Sequence, residues 1–267
     1  MMFSLSAKNA YNYTLQLTGD ENVYQVLEIE GLNPPQASIA SSPIVGIDGT
    51  QVASTRLVPR NIVITVRING DVETNRLNLY KCFIPKDKCT LYYSNSSRNV
   101  YIDAIVETVE CGIFSNSEEA QISLMCPAPN FLDMTQTTTT IASGSSATTV
   151  ANGSDVSTGC IIEITATSAF NILYVYNRTT DELIAIAHAI QSGDVITIST
   201  YNGAKYVRLR RSGVTSNIFT SVVPGSRFLQ LVPGNNGIAY LAQTASIPPT
   251  TGTATVKVKF RKAYTGV

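Results

Sequence analysis

The 267-residue chain contains a single histidine, His188, so any Ser/His/Asp or Cys/His apparatus would have to take its proton-transfer group from that position. It sits in the stretch ELIAIAHAI, in phase with Ile184, Ile186 and Ile190. Period-two spacing among isoleucines makes it a packing position on or beside an apolar strand face. Paired carboxylates could serve glycoside hydrolysis, and Glu28 with Glu30, and Asp103 with Glu107, share strand faces. Each pair alternates with apolar residues, as solvated outward positions do. Five cysteines (Cys82, Cys89, Cys111, Cys126, Cys160) form an odd set without a C-x-x-C pair, which argues against a disulfide framework and a zinc site and for free, buried thiols. One imidazole and scattered thiols do not make up the usual metal-ligand sets. G-x-x-x-x-G-K-[ST], G-x-G-x-x-G and G-x-S-x-G are all absent, so phosphate cradles and nucleophile elbows have no signature. Arg208, Arg210 and Arg211 cluster in VRLRRSG, but nucleic-acid binding calls for a broader basic face interleaved with aromatics, and the chain has no Trp. The residues therefore indicate a protein that is not an enzyme. No catalytic, cofactor-binding or metal-binding residue is assigned, and no cofactor is expected.

The elements that would position these residues are strands. The composition is 44% hydrophobic and only 14% charged, too apolar for disorder and too poor in charge for a helix-rich surface. In NIVITVRIN, Ile62, Ile64, Val66 and Ile68 share one face, and in VKVKFRK, Val256, Val258 and Phe260 oppose Lys257, Lys259 and Arg261. YNYTLQL, NVYQVLEIE, RNVYIDAIVETV, EAQISLMC, CIIEITAT, FNILYVYN, DVITIST and AKYVRLR repeat the pattern between Gly, Asn, Asp and Pro residues. DVETNRLNLYKCF suggests one short helix with Val72, Leu79 and Tyr80 inward. FLQLVPGNNGIAYLA reads as a hairpin, with Phe228 to Val232 and Ile238 to Gln243 as arms and Pro233 to Gly237 as the reversal. The start, MMFSLSAKNAYNY, lacks the form of a secretory signal, and no apolar run reaches the ~18 to 20 residues of a membrane span. A soluble product made in a cytoplasm, with no membrane partner, is expected. On that basis the N-x-[ST] triplets beginning at Asn12, Asn95, Asn152 and Asn177 are chance occurrences.

A boundary falls after CPAPNFLD, where TQTTTTIASGSSATTVANGSD begins. Thr is β-branched and favours a polar, exposed strand pair, while the Ser/Gly content leaves a linker as the alternative. Charge also changes sign here. Residues 1–134 hold nine Lys/Arg against fourteen Asp/Glu, and residues 135–267 hold ten against five, so overall neutrality joins a −5 half to a +5 half. Such an asymmetry suits docking against different neighbours.

In this order, SPIVGIDGTQVASTRLVPRNIVITVRING, a short helix, the strands LYY and NVYIDAIV, and QISLMCPAPNF resemble the amino-terminal domain of the distal tail proteins of long-tailed phages. VANGSDVSTGCIIEIT, IQSGDVITISTYNGAKYV, SRFLQLVPGNNGIAYLA and TATVKVKF resemble that family's carboxy-terminal β-sandwich. The resemblance implies a mainly β chain of two domains: residues 1–132, a β-sandwich-like ring-forming domain with one short helix, and residues 133–267, a jelly-roll or galectin-like β-sandwich. It implies a virion structural protein that forms a homo-hexameric ring, joins the tail tube protein to the tail-tip protein, and offers its outer domain to receptor-binding or baseplate proteins, while DNA passes through without specific binding. A carbohydrate-binding module for host-surface adhesion is the alternative. The 13 Tyr favour it, and the absence of Trp weakens it.

Overall fold

The computed structural model describes residues 3–46, 48–112 and 118–267; the side chains of residues 144 and 145 are not among those described. The fold is mainly β, and the chain divides into two compact units, Met1–Met134 with Tyr264–Val267, and Thr135–Ala263. The return of four residues from the far end of the sequence to the first unit has no counterpart in the sequence reading.

The first unit opens with β1 (Ser4–Asn9), β2 (Thr14–Gln16) and β3 (Tyr24–Glu30), followed by β4 (Ala37–Pro43), β5 (Thr50–Leu57) and β6 (Arg60–Ile68). Helix α1 (Val72–Cys82) precedes β7 (Lys88–Ser94), β8 (Asn99–Cys111), β9 (Glu119–Cys126) and β10 (Phe131–Ile141), which leads into the second unit. All ladders are antiparallel. β8 is long enough to serve two of them: Asn99–Ile105 pairs with β7, and Ile105–Cys111 pairs with β9 past an irregularity between Val106 and Thr108. β7 continues to β1 and β2, and β9 continues to β6 and β3. The apolar phase of the strands other than β4 and β5, including Leu5, Ile62, Ile64, Leu91, Ile102 and Leu124, enters one core. The Asp71 carboxylate starts α1 by accepting from the Thr74 amide at 3.3 Å. Leu79 and Cys82 are buried along the helix, whereas Val72 and Tyr80 are only half-buried.

The second unit adds β11 (Gly144–Asn152), β12 (Ile161–Ala166), β13 (Phe170–Asn177), β14 (Glu182–Ile190), β15 (Val195–Ser199), β16 (Tyr206–Arg211) and β17 (Val214–Asn217). A single 3-10 turn, Phe219–Ser221, precedes β18 (Gly234–Gln243), β19 (Thr251–Gly252) and β20 (Ala254–Tyr264). One face is the ladder β17-β16-β15-β12-β20, and the other is β11-β18-β13-β14 with β19 on β18. Ile162, Ile164, Ile196, Ile198, Val256 and Val258 from the first meet Leu173, Val175, Ile184, Ile238 and Tyr240 from the second in one core.

Two sequence expectations are corrected. The Pro233–Gly237 stretch is not a hairpin turn: β18 begins at Gly234, and Asn235, Asn236 and Gly237 are paired with Ala151, Val150 and Thr149 of β11. The supposed first arm, 228–232, is no strand and makes a single bridge, Leu231 with Thr158. Asn and Gly imitate a turn in the sequence because both tolerate positive φ, yet only Gly234 (φ +93°) has it here. The Thr-rich stretch does form strands, β10 and β11, but they enter different sheets and are not partners.

Candidate interaction surfaces

The residues first considered for chemistry are dispersed. His188 lies half-buried at the irregular end of the β13–β14 ladder, its Nδ1 3.0 Å from the Ser221 hydroxyl. Among the described residues no carboxylate is hydrogen-bonded to the imidazole. Glu28 and Glu30 are exposed on β3. Asp103 accepts from the Thr90 hydroxyl at 2.8 Å, and Glu107 accepts from Ser123 Oγ at 2.8 Å and Asn61 Nδ2 at 3.2 Å. These carboxylates face other strand side chains and not each other. Arg208 lies over the Tyr206 ring at 4.3 Å, while Arg211 holds the buried Asp194 carboxylate through Nε (3.0 and 3.1 Å) and NH2 (2.6 Å). The Arg211 hydrogen bond holds Asp194 below the usual carboxylate range. Cys82, Cys89, Cys126 and Cys160 are buried free thiols, which burial pushes up to about 12, and Cys111 is half-buried and free.

Three asparagines that the sequence left as chance triplets or turn formers hold the irregular segment 230–232 in place. Asn236, fully buried, accepts from the Val232 amide at 3.0 Å and donates back to the Val232 carbonyl at 2.8 Å. Asn177 donates to the Gln230 carbonyl at 2.8 Å, and Asn152 to the Leu231 carbonyl at 2.9 Å. Gln230 N–H donates to Glu182 at 2.7 Å. A buried backbone without a ladder must find other partners, and these side chains are those partners.

The surface feature of the first unit is the β4–β5 hairpin. Apart from half-buried Ser38, both of its strands are exposed throughout, including Ile39 (60%), Val52 (54%) and Leu57 (42%), and Val45 in the connection is fully exposed. β4 and β5 pair only with each other. Across both strands the only ionisable side chain is Arg56. A two-stranded ribbon without a core beneath it is marginal in water, and an uncharged edge invites further strands. β17, the outermost strand of its ladder in the second unit, is likewise exposed at all four residues and uncharged.

The two-unit antiparallel fold, with an exposed ribbon in its first unit, is that of a phage-tail component. Residues 10–126 match the family model for the phage tail protein RIFT-related domain, and residues 153–264 match that for the siphovirus-type tail component, C-terminal domain. The chain belongs to this siphophage tail component family, as a distal tail protein. Among solved structures, it resembles the SPP1 Dit protein, described as a paradigm of the hub adsorption apparatus of phages infecting Gram-positive bacteria. The two share 14% identity with a TM-score of 0.72, over 98% of this chain and 99% of that one. It also resembles a chain of the phage P2 baseplate in its activated conformation with Ca, at 10% identity and TM-score 0.52, over 97% and 98% of the two chains. A chain of the same baseplate with Sr gives 9% identity and a TM-score of 0.52. No curated protein matches the chain in sequence.

Proposed function

We propose that copies of this chain close into a hexameric ring at the distal end of a phage tail, joining the tail tube protein to the tail-tip protein. The first domain, residues 1–132 by the sequence division, builds the ring. The second, 133–267, faces outward to receptor-binding or baseplate proteins, and DNA passes through the lumen without being read. The protein is built in the host cytoplasm and acts in the virion tail as a structural part with no reaction of its own. Family membership supports the tail setting, and the hub and baseplate neighbours support the position at its end.

The single observation that carries self-assembly is the β4–β5 hairpin: low in charge, apolar at Ile39, Val45 and Val52, and without a core of its own. A neighbouring copy supplies what the ribbon lacks, namely strand partners for its edges and cover for its apolar side chains. A head-to-tail contact of this kind, repeated with a rotation that closes, yields a ring and not a filament. Light scattering of the intact protein tests it. Six chain masses are expected, and a variant in which residues 38–56 are replaced by a short Gly-Ser turn is expected at one chain mass with a cooperative unfolding transition retained and strand dichroism reduced only by the two strands removed. Unaltered assembly of that variant would exclude the hairpin as the joint.

A further inference from the structure

Arg60 is the first residue of β6, three positions past the end of β5, and it is 4% exposed with no carboxylate partner among the described residues. Its guanidinium donates instead to four backbone carbonyls: Nε to Pro129 at 2.8 Å, NH1 to Gly31 and to Asn33 (2.5 Å), and NH2 to Thr265 at 2.5 Å. The plane lies over the Phe131 ring, 4.6 Å from its centroid. Gly31 and Asn33 lie in the irregular segment between β3 and β4 that leads into the hairpin, so one buried cation joins both roots of the ribbon to the segment Tyr264–Val267.

That segment makes further contacts of its own. The Val267 amide donates to the Leu32 carbonyl at 3.3 Å. Gly266 sits in a tight place, since a Cβ there would lie 3.2 Å from the Leu32 carbonyl oxygen and from Pro34 Cδ, and a branched side chain would press on both. Tyr264 donates to Asp133 at 3.2 Å and carries the Arg98 guanidinium 3.9 Å above its ring. On the other root, Gly31 has φ +81° and an added Cβ would fall 2.0 Å from the Asn61 carbonyl oxygen. The Val58 amide closes the ribbon on Gln36 at 3.0 Å.

We infer that residues 264–267 are a clasp that sets the direction of the β4–β5 hairpin through Arg60, so that the assembly arm is aimed by the end of the sequence. This rests on the proposed role of the hairpin as the intersubunit joint. A marginal ribbon has no core to orient it, and its angle is fixed only at its roots. A buried guanidinium satisfied by four carbonyls from three separate segments is a rigid joint, because releasing any one of them leaves a buried polar group unpaired. The sequence offered no hint of it, as Arg60 reads as the polar start of a strand.

Hydrogen exchange on the full chain, read beside its assembly state, tests the clasp. Three variants are compared with the parent: deletion of 265–267, Gly266→Val, which unseats the segment without shortening it, and Arg60→Met. Exchange in 31–36 and 57–59 is expected to rise about tenfold or more in all three, with β7 and the first half of β8 as protected as before, and the assembled fraction to fall. Unchanged protection at both roots in the deletion and in Gly266→Val overturns the clasp, whatever Arg60→Met does. Loosened roots with intact assembly uphold the clasp and overturn the hairpin as the joint, which separates the two failures.

Discussion

At the residue scale, the side chains that matter hold backbone. Asn236 offers its amide to Val232 on both sides and is closed off from water. Asn236→Ala removes those bonds and leaves the half-buried Val232 amide without its acceptor, while Asn152 Nδ2 still donates to the Val232 carbonyl at 3.3 Å, so a loss of about 1–3 kcal/mol is expected in chemical denaturation. Gly234→Val is expected to cost roughly 1–2 kcal/mol, because the site is open but φ is +93°. Gly237→Val should cost less: its φ is not positive and its nearest neighbour, Ala147 Cβ, stands 3.4 Å away. The thiols give a pH dependence. Burial raises four of them from 9.0 to about 12, so above the lower value the unfolded chain sheds protons that the folded chain keeps. Their contribution is complete below that value and falls as pH climbs towards 12. Denaturation midpoints should therefore be insensitive to the thiols near pH 7 and drop at about pH 10.5, less so when Cys160 is replaced by Ala. The sequence had the cysteines as buried thiols, which Cys82, Cys89, Cys126 and Cys160 are while Cys111 is half-buried, and it had His188 on or beside an apolar face, where the side chain is half-buried. It did not mark Asn152, Asn177 and Asn236, since a polar residue that bonds backbone through the fold looks the same in one dimension as one that faces water.

At the scale of elements, period-two alternation made β6 and β20 legible down to the buried phase: Ile62, Ile64, Val66 and Ile68, and Val256, Val258 and Phe260, are all in the cores. The helix was legible from the non-β residues of DVETNRLNLYKCF, which follow Asn69 and Gly70 just past the end of β6. The failures have one physical origin. Turn propensity is local, but Asn235 to Gly237 are held in β18 by a ladder with β11, and tertiary pairing overrode the local preference. In β4 and β5 alternation carried no core signal because neither strand covers a core, so the ribbon was quoted as a motif without being read as strands; Ile47, within that motif, lies outside the described residues. Gly31→Ala belongs at this scale. Its Cβ would overlap the Asn61 carbonyl at the hairpin root, and a loss of roughly 2–5 kcal/mol in thermal unfolding is expected, accompanied by weaker assembly.

For the whole molecule, composition and pattern were enough for a mainly β chain with a boundary after CPAPNFLD, and the order of the quoted segments carried the resemblance to the family, while the return of Tyr264–Val267 to the first unit was not legible. That return depends on carbonyls, which every residue has, meeting one arginine whose neighbours in sequence are ordinary. Family and fold define a tail component, and in the assembly proposed above the sparsely charged ribbon, aimed by its clasp, would join one copy to the next. No helix among the described residues is long and apolar enough to cross a membrane. Negative-stain images of the purified intact protein address the assembly most directly. Closed rings with six-fold symmetry and a central opening are the expected result; a field of separate monomers at every concentration, or open filaments, would contradict it.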